Sequence, residues 1–161
     1  MTEMLSVERE GAYMRIRLNR PDKANALAVA MMEGATAALA EAASAERVRA
    51  VLLTGAGVRA FCAGADVREQ AAGGDMAAHR KRRSAALFAL LNAAMDFPKP
   101  LIAVLNGIAS GGGAMLAFVC DARVAVDTAA IALPEINLGM STHAGAAIAL
   151  QVGGLALAAD L

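Results

Sequence analysis

Two small-residue stretches decide the fold: Phe61-Cys62-Ala63-Gly64-Ala65-Asp66 and Gly111-Gly112-Gly113. Each follows a short apolar run typical of a buried strand, Val48–Thr54 before the first and Leu101–Leu105 before the second. Asp66 and Glu69 have the spacing of a capping box, so we expect a helix to begin there, and another directly after the glycines. Both loops would then present unpaired backbone N–H groups to an anion, unless they are only tight turns between packed elements.

Outward from these loops, predicted strands and helices alternate along the chain, which favours an α/β fold in one domain over 1–161. The first two strands, with Gly11 between them, have the pattern of a hairpin. The two hairpin strands are Leu5–Glu10 and Tyr13–Leu18. The further predicted elements are the strands Arg123–Val126 and Ala130–Leu133 and the helices Ala26–Ser44, His79–Met95 and one from His143 onward.

Composition excludes several classes of function. The 161 residues include 15 acidic and 15 basic side chains, a net charge of zero, and aromatic residues make up 3%. A nucleic-acid partner is therefore not expected. Two long uncharged stretches, Leu101–Cys120 and 136–159, contain polar residues and glycines, so we interpret them as core elements rather than membrane spans.

The two cysteines, Cys62 and Cys120, are far apart and have no metal-binding spacing. They are typical of small buried side chains in a reducing compartment. Residues 1–4 show neither a basic segment nor an apolar run, so no signal peptide is predicted. We therefore expect a cytoplasmic protein without a metal site.

Five segments, in this order, resemble those of the crotonase (enoyl-CoA hydratase/isomerase) superfamily. Each is a weak signal alone, but together they extend over almost the whole chain. They are Asn19-Arg20-Pro21 with Asn25-Ala26-Leu27, Phe61 to Asp66, Asn106-Gly107 with Gly111-Gly112-Gly113, Cys120-Asp121, and Leu133-Pro134-Glu135 with Leu138-Gly139.

The resemblance implies an α/β crotonase-like spiral of repeated β-β-α units that assembles as a homotrimer or hexamer. It implies an acyl-CoA thioester as substrate and no separate cofactor, because coenzyme A is part of that substrate. The chain stops at Leu161 within a predicted apolar helix. We interpret the chain as the core of the fold, truncated before the family's C-terminal helical trimerisation region.

The same resemblance implies a set of site residues. The backbone N–H groups of Ala65 and Gly112 would form the oxyanion hole that stabilises a thioester enolate. Gly111 precedes the second donor. The stretches that match the family's CoA-contacting segments comprise Lys23, Ala24, Ala63, Gly64, Asp66, Val67 and Arg68.

Hydratases of this family use two glutamates, and only one of them is present here. Glu135 occupies the second position, whereas Met115 occupies the first. A thioether neither takes nor gives a proton, so we expect isomerisation, which needs a single acid/base, to be favoured over hydration. His143, at a predicted helix start near the acyl pocket, is a candidate to assist Glu135.

Other interpretations stay open at this point. One is a hydratase assisted by His143, and another is a non-catalytic module that binds acyl-CoA or only oligomerises. A dinucleotide-binding domain is disfavoured, because Gly55-Ala56-Gly57 lacks the third glycine of that motif. The basic run Arg80–Arg83 is interpreted as a solvated helix face and His79 as a helix-surface residue.

Overall fold

The computed structural model describes residues 4–66, 69, 74–139 and 142–160. The strands are β1 (Leu5–Glu10), β2 (Tyr13–Leu18), β3 (Ala50–Gly55), β4 (Ala60–Cys62), β5 (Leu101–Leu105), β6 (Ile108–Ser110), β7 (Ala122–Ala125) and β8 (Ile131–Ala132). The helices are α1 (Val29–Ser44), α2 (Met76–Met95), α3 (Gly112–Val119) and α4 (His143–Asp160), with 3₁₀ turns at Pro21–Lys23 and Pro134–Leu138.

The strands form two sheets. One has five strands in the order β1-β2-β3-β5-β7, and the other has three in the order β4-β6-β8. Apart from the antiparallel β1–β2 hairpin, neighbouring strands run parallel. Each of α2, α3 and α4 follows one strand of the first sheet and one of the second. The predicted spiral of β-β-α units is confirmed.

The core lies between the five-stranded sheet and the helices. Alternate residues of β2, namely Met14, Ile16 and Leu18, are fully buried, as expected for a strand with one face inward. Helix α1 packs over them with Met31 and Met32, which are also buried. Within the described part of the chain, no helix is both long enough and apolar enough to cross a bilayer.

Helix α1 begins three residues later than predicted. Ala24 and Asn25 have left-handed backbone conformations, with φ of 49° and 55°. Leu27 forms an isolated parallel bridge with Ala65. A residue whose N–H and C=O bond across to another segment cannot belong to a helix, so α1 starts only at Val29.

The capping box predicted at Asp66 and Glu69 is wrong, and both residues lie outside any helix. The amide of Asp66 donates to the carbonyl of Leu27, and the carboxylate of Glu69 accepts the N–H of Val29 at the start of α1. Helix α2 begins at Met76 instead, capped by Asp75, whose side chain accepts two amides at 3.0 Å. The carboxylate of Asp66 pairs with Arg20, so both carboxylates assigned to one helix serve other segments.

Candidate active site

Three adjacent parallel strands end on the same side of the small sheet, and a candidate segment follows each of them. Residues 63–66 follow β4, Gly111 follows β6, and residues 133–135 follow β8. Parallel strands place their carboxyl ends along one edge, where ligands of α/β proteins commonly bind. Topology therefore gathers residues that are about 70 positions apart in the sequence.

The segment after β4 is held by backbone hydrogen bonds on one side. The amide of Ala63 donates to Ala24, Gly64 O accepts from Leu27, and the amide of Asp66 donates to Leu27 O. In a planar trans peptide the N–H points opposite to the preceding C=O. The N–H of Ala65 therefore points away from Leu27. Contrary to expectation, Asp66 and Glu69 lie outside any helix, so among the described residues no helix dipole strengthens that donor.

The segment after β6 is the N-terminus of α3, as predicted. Gly111 is the N-cap with φ 52° and ψ −122°, a conformation available essentially to glycine alone. Its amide donates to Ala132 O, and its carbonyl accepts from Met115 in the first turn of α3. The N–H of Gly112 therefore points out of the N-terminal end of the helix, where the dipole favours negative charge.

These two segments lie directly against each other. A Cβ on Gly64, whose φ is 87°, would stand 3.2 Å from the backbone nitrogen of Gly112. A Cβ on Gly113 would stand 2.3 Å from the carbonyl oxygen of Cys62. Only glycine permits such close approach of two backbones. The structure thus brings the neighbourhoods of Ala65 and Gly112 together.

Glu135 reaches into this junction from the segment after β8. A Cβ on Gly111 would stand 3.0 Å from Oε1 of Glu135. The glutamate is buried, with 8% of its surface exposed, and its Oε2 has no hydrogen-bond partner within the described part of the chain. Buried carboxylate oxygens are normally satisfied, so an unsatisfied one next to the N-cap glycine of α3 marks a candidate chemical group.

Apolar side chains cover Gly112, and the side chain of Met115 lies against helix α4. Met115 is buried, and its Cε lies 2.9 Å from the position of a Cβ on Gly145 in the first turn of α4. Leu87 of α2 and Leu27 lie 3.5–3.6 Å from a Cβ placed on Gly112. Sequence reasoning missed both leucines, because nothing local indicates that α2 covers the glycine turn. His143 is the first residue of α4, and its side chain lies outside the described structure.

An open groove adjoins the candidate donors and has a volume of about 340 Å³. Four of the predicted CoA-contacting residues line it, whereas Val67 and Arg68 lie outside the described residues. The groove also includes Asp22 and Arg59, which the sequence analysis did not single out. Its lining comprises Asp22, Lys23, Ala24, Ala26, Arg59, Ala63, Ala65 and Asp66.

A larger cavity of about 770 Å³ lies elsewhere, between β1 and α1. Its charged residues, Arg9 and Glu41, pair with each other, and the rest of its lining is apolar or glycine. None of its lining residues belongs to the segments that follow β4, β6 and β8. The smaller groove beside Ala65 is therefore the better candidate site.

The remaining predicted features have other roles in the structure. Arg82 pairs with Glu33 on an exposed helix face, and Arg83 donates to Asp66 O at 3.4 Å. His79 is not a surface residue as expected: its side chain is 10% exposed and its Nε2 lies 3.8 Å from Glu69. No group of His, Cys, Asp or Glu in the described ranges has the arrangement of a metal site.

Comparison with known proteins identifies the family of the chain. The enoyl-CoA hydratase/isomerase family profile matches residues 8–155. The chain is 40% identical over 145 residues to the 2,3-dehydroadipyl-CoA hydratase of Escherichia coli K12, covering 90% of this chain and 54% of that protein. It is 34% identical over 140 residues to the short-chain-enoyl-CoA hydratase of Clostridium acetobutylicum, covering 86% and 52%.

Among solved structures, an enoyl-CoA hydratase from Bacillus anthracis superimposes with a TM-score of 0.91 at 33% identity. The match covers 98% of this chain and 61% of that one. The chain belongs to the enoyl-CoA hydratase/isomerase family, and so to the crotonase fold. It spans about half the length of the relatives that it matches.

Proposed function

We propose that the protein acts on acyl-CoA thioesters and shifts the double bond of an enoyl chain, with Glu135 as the single acid/base. The observation that carries this proposal is the close approach of Glu135 to Gly111 at the N-terminus of α3. Met115 occupies the sequence position at which the resemblance places the second glutamate of the family's hydratases. One base suffices for isomerisation, whereas hydration also requires activation of water.

The oxyanion hole consists of the N–H groups of Ala65 and Gly112, both directed at the thioester oxygen. Support comes from the direction of each amide and from the contact between their segments. Donors placed where charge develops lower the barrier more than they strengthen substrate binding. We infer that CoA lies in the groove that passes Lys23, Ala24 and Ala63 and leads to Ala65.

The reaction then has two proton transfers at one carboxylate. Glu135 removes a proton from C2 of a 3-enoyl thioester, and the electron pair moves onto the thioester oxygen held by the two amides. The protonated Glu135 returns the proton to C4, and the double bond ends between C2 and C3. No water is added, and Glu135 is regenerated in its starting form.

The apolar surroundings suit this chemistry. Leu27 and Leu87 present methyl groups at Gly112, and Met115 is buried within α3. A dry, apolar environment strengthens the electrostatic effect of the two amides on the enolate. It also suits an aliphatic acyl chain, which gains free energy when it leaves water.

A second candidate is enoyl-CoA hydration, since relatives such as the Clostridium acetobutylicum protein are named for that activity. In this chain it would require His143 to replace the missing glutamate. A third is acyl-CoA binding without catalysis, which Met115 favours because it removes one of the two proton-transfer groups. A trimeric or hexameric assembly and the absence of a separate cofactor are implied by the family, and a cytoplasmic location by the sequence; all three stay predictions.

The test is incubation of the protein with 3-enoyl-CoA and, separately, with 2-enoyl-CoA, followed by mass and absorbance measurement. Isomerisation leaves the mass of the 3-enoyl ester unchanged and creates the absorbance of a conjugated thioester. Hydration adds the mass of one water to the 2-enoyl ester and removes that absorbance. Rapid hydration without isomerisation would contradict the proposal, and binding without either reaction would support the non-catalytic candidate.

A further inference from the structure

Arg20 and Asp66 form a buried ion pair next to the proposed oxyanion hole. Nη2 of Arg20 lies 2.7 Å from Oδ2 of Asp66, and the two side chains are only 11% and 6% exposed. Removal of both charges from water is costly, so a buried pair is a weak source of net stability. What such a pair does provide is a defined position for the groups that it joins.

The guanidinium is itself held by the segment that precedes α1. Nη1 of Arg20 donates to Ala26 O at 2.7 Å, while the backbone N–H of Arg20 donates to Oδ1 of Asn25 at 3.0 Å. The Asn25 side chain also donates to Ala56 O and Ala60 O. A planar fork with two engaged nitrogens fixes both position and orientation, which a lysine ammonium cannot reproduce.

Asp66 is the residue that follows Ala65. The direction of the Ala65 N–H depends on the peptide plane that joins it to Gly64. Gly64, with a φ of 87°, has no Cβ to limit the rotation of that plane. The restraint must then come from neighbouring residues. Leu27 bonds to both sides of Ala65, and Arg20 anchors the side chain immediately after it.

We propose that Arg20 is a positioning residue of the oxyanion hole: through Asp66 it holds the N–H of Ala65 in the direction of the thioester oxygen. This inference rests on the proposed function. Asp66 therefore serves the site through its ion pair with Arg20, in addition to lining the groove. The guanidinium does not touch the substrate in this arrangement.

The experiment uses Arg20→Lys, which keeps the charge and loses the fork, and Asp66→Asn, which keeps the shape and loses the charge. The matched control is Arg9→Lys, because Arg9 of β1 is exposed and pairs with Glu41 of α1. Crotonyl-CoA labelled with ¹³C at C1 is bound to each protein. The carbonyl resonance moves downfield when the oxygen accepts hydrogen bonds, so it reports on the two amides directly.

We expect the unmodified protein and Arg9→Lys to move the carbonyl resonance downfield equally. In Arg20→Lys the displacement should fall by about half, since one of two donors is misdirected, and kcat for 3-enoyl-CoA should fall about 10- to 100-fold. KM should stay within about threefold, because the amides act on the transition state more than on substrate binding. Asp66→Asn should show the same pattern, and the double variant should lose little more than either single variant.

Each other outcome has a distinct meaning. If the unmodified protein shows no downfield displacement, the proposed function fails. If it shows one that Arg20→Lys retains, this inference fails while the proposed function stands. A raised KM with unchanged kcat and carbonyl resonance would make Arg20 a CoA-binding residue instead. Thermal unfolding is followed for all variants, and Asp66→Asn decides the matter if Arg20→Lys is unfolded at the assay temperature.

Discussion

Gly111 and Glu135 lie so close that a methyl group on Gly111 would stand 3.0 Å from Oε1 of the glutamate. The N-cap of α3 and the proposed acid/base therefore share one small volume. The same glycine has φ 52°. This position therefore requires glycine for its backbone conformation and also because a side chain would press on the glutamate. Substitutions at Gly111, Glu135 and Met115 test what this contact does.

Gly111→Ala should impair activity and stability together. The alanine would occupy a backbone region that costs about 1–3 kcal/mol and would press on the Glu135 carboxylate. We expect kcat to fall about 10- to 100-fold through displacement of the carboxylate. Gly11→Ala is the matched control, since Gly11 also has a positive φ but nothing lies within 4 Å of its Cβ position. Equal activity losses in both variants would disprove the role assigned to the Glu135 contact.

Glu135→Gln should abolish isomerisation with little change in CoA-ester binding. The amide has nearly the same shape, but it cannot accept and return a proton, so we expect a loss of at least about 100-fold in kcat. Equilibrium binding of the saturated ester, measured by calorimetry, checks that the site is intact. Glu33→Gln, on the exposed face of α1, is the control. Residual activity that disappears only in His143→Ala would show that His143 is the catalytic group.

Met115→Glu should raise hydration of 2-enoyl-CoA by about 10- to 100-fold, since it supplies the missing proton-transfer group. It should also lower stability by about 1–3 kcal/mol, because Met115 is only 7% exposed and a buried carboxyl group is costly. Met115→Leu, of similar volume, is the control and should leave hydration weak. No gain in the glutamate variant, with the fold intact by circular dichroism, would contradict the geometry proposed for the two carboxylates.

Alkaline pH should destabilise the protein through its two buried thiols. Burial raises the pKa of Cys62 from 9.0 to about 12, and burial, partly opposed by Arg123, raises that of Cys120 to about 12. Above pH 9 the unfolded chain loses the thiol protons, whereas the folded chain keeps them. The free energy of unfolding therefore declines as the pH rises from 9 toward 12. The slope should be on the order of 1 kcal/mol per pH unit for each thiol.

Urea unfolding at pH values from about 8 to about 11 measures the effect, because this range covers the lower part of the thiol titration. Cys62→Ala with Cys120→Ala should flatten the decline, although each alanine lowers stability at neutral pH by leaving a small cavity. Arg9→Lys, with both thiols present, serves as the control and should retain the full slope. An unchanged slope in the double alanine variant would mean that other groups cause the alkaline loss.

Elements with a strong local pattern were predicted well. The hairpin of β1 and β2 has the predicted bounds, α3 begins at the glycine turn, and α4 begins at His143. Alternation of apolar residues and the glycine run carry these signals within a few positions. The predicted membership of the enoyl-CoA hydratase/isomerase family is likewise confirmed.

The errors share one physical cause. The start of α1 and the capping box at Asp66 were misplaced because Leu27, Asp66 and Glu69 bond to segments distant in the sequence. Likewise, the spacing of His79 within α2 does not reveal that Glu69 lies 3.8 Å from its ring. Local propensity is a weak preference, and tertiary hydrogen bonds override it.

The sequence by itself determined the α/β class, the family, the glutamate at 135 and the methionine at 115, because residue identity and order carry that information directly. Only the tertiary structure decided which groups meet. It placed Gly111 against Glu135, Leu87 over Gly112 and Arg20 beside Asp66. These contacts depend on the parallel order of β4, β6 and β8 and on the helices packed around them, and spacing along the chain does not encode such distances.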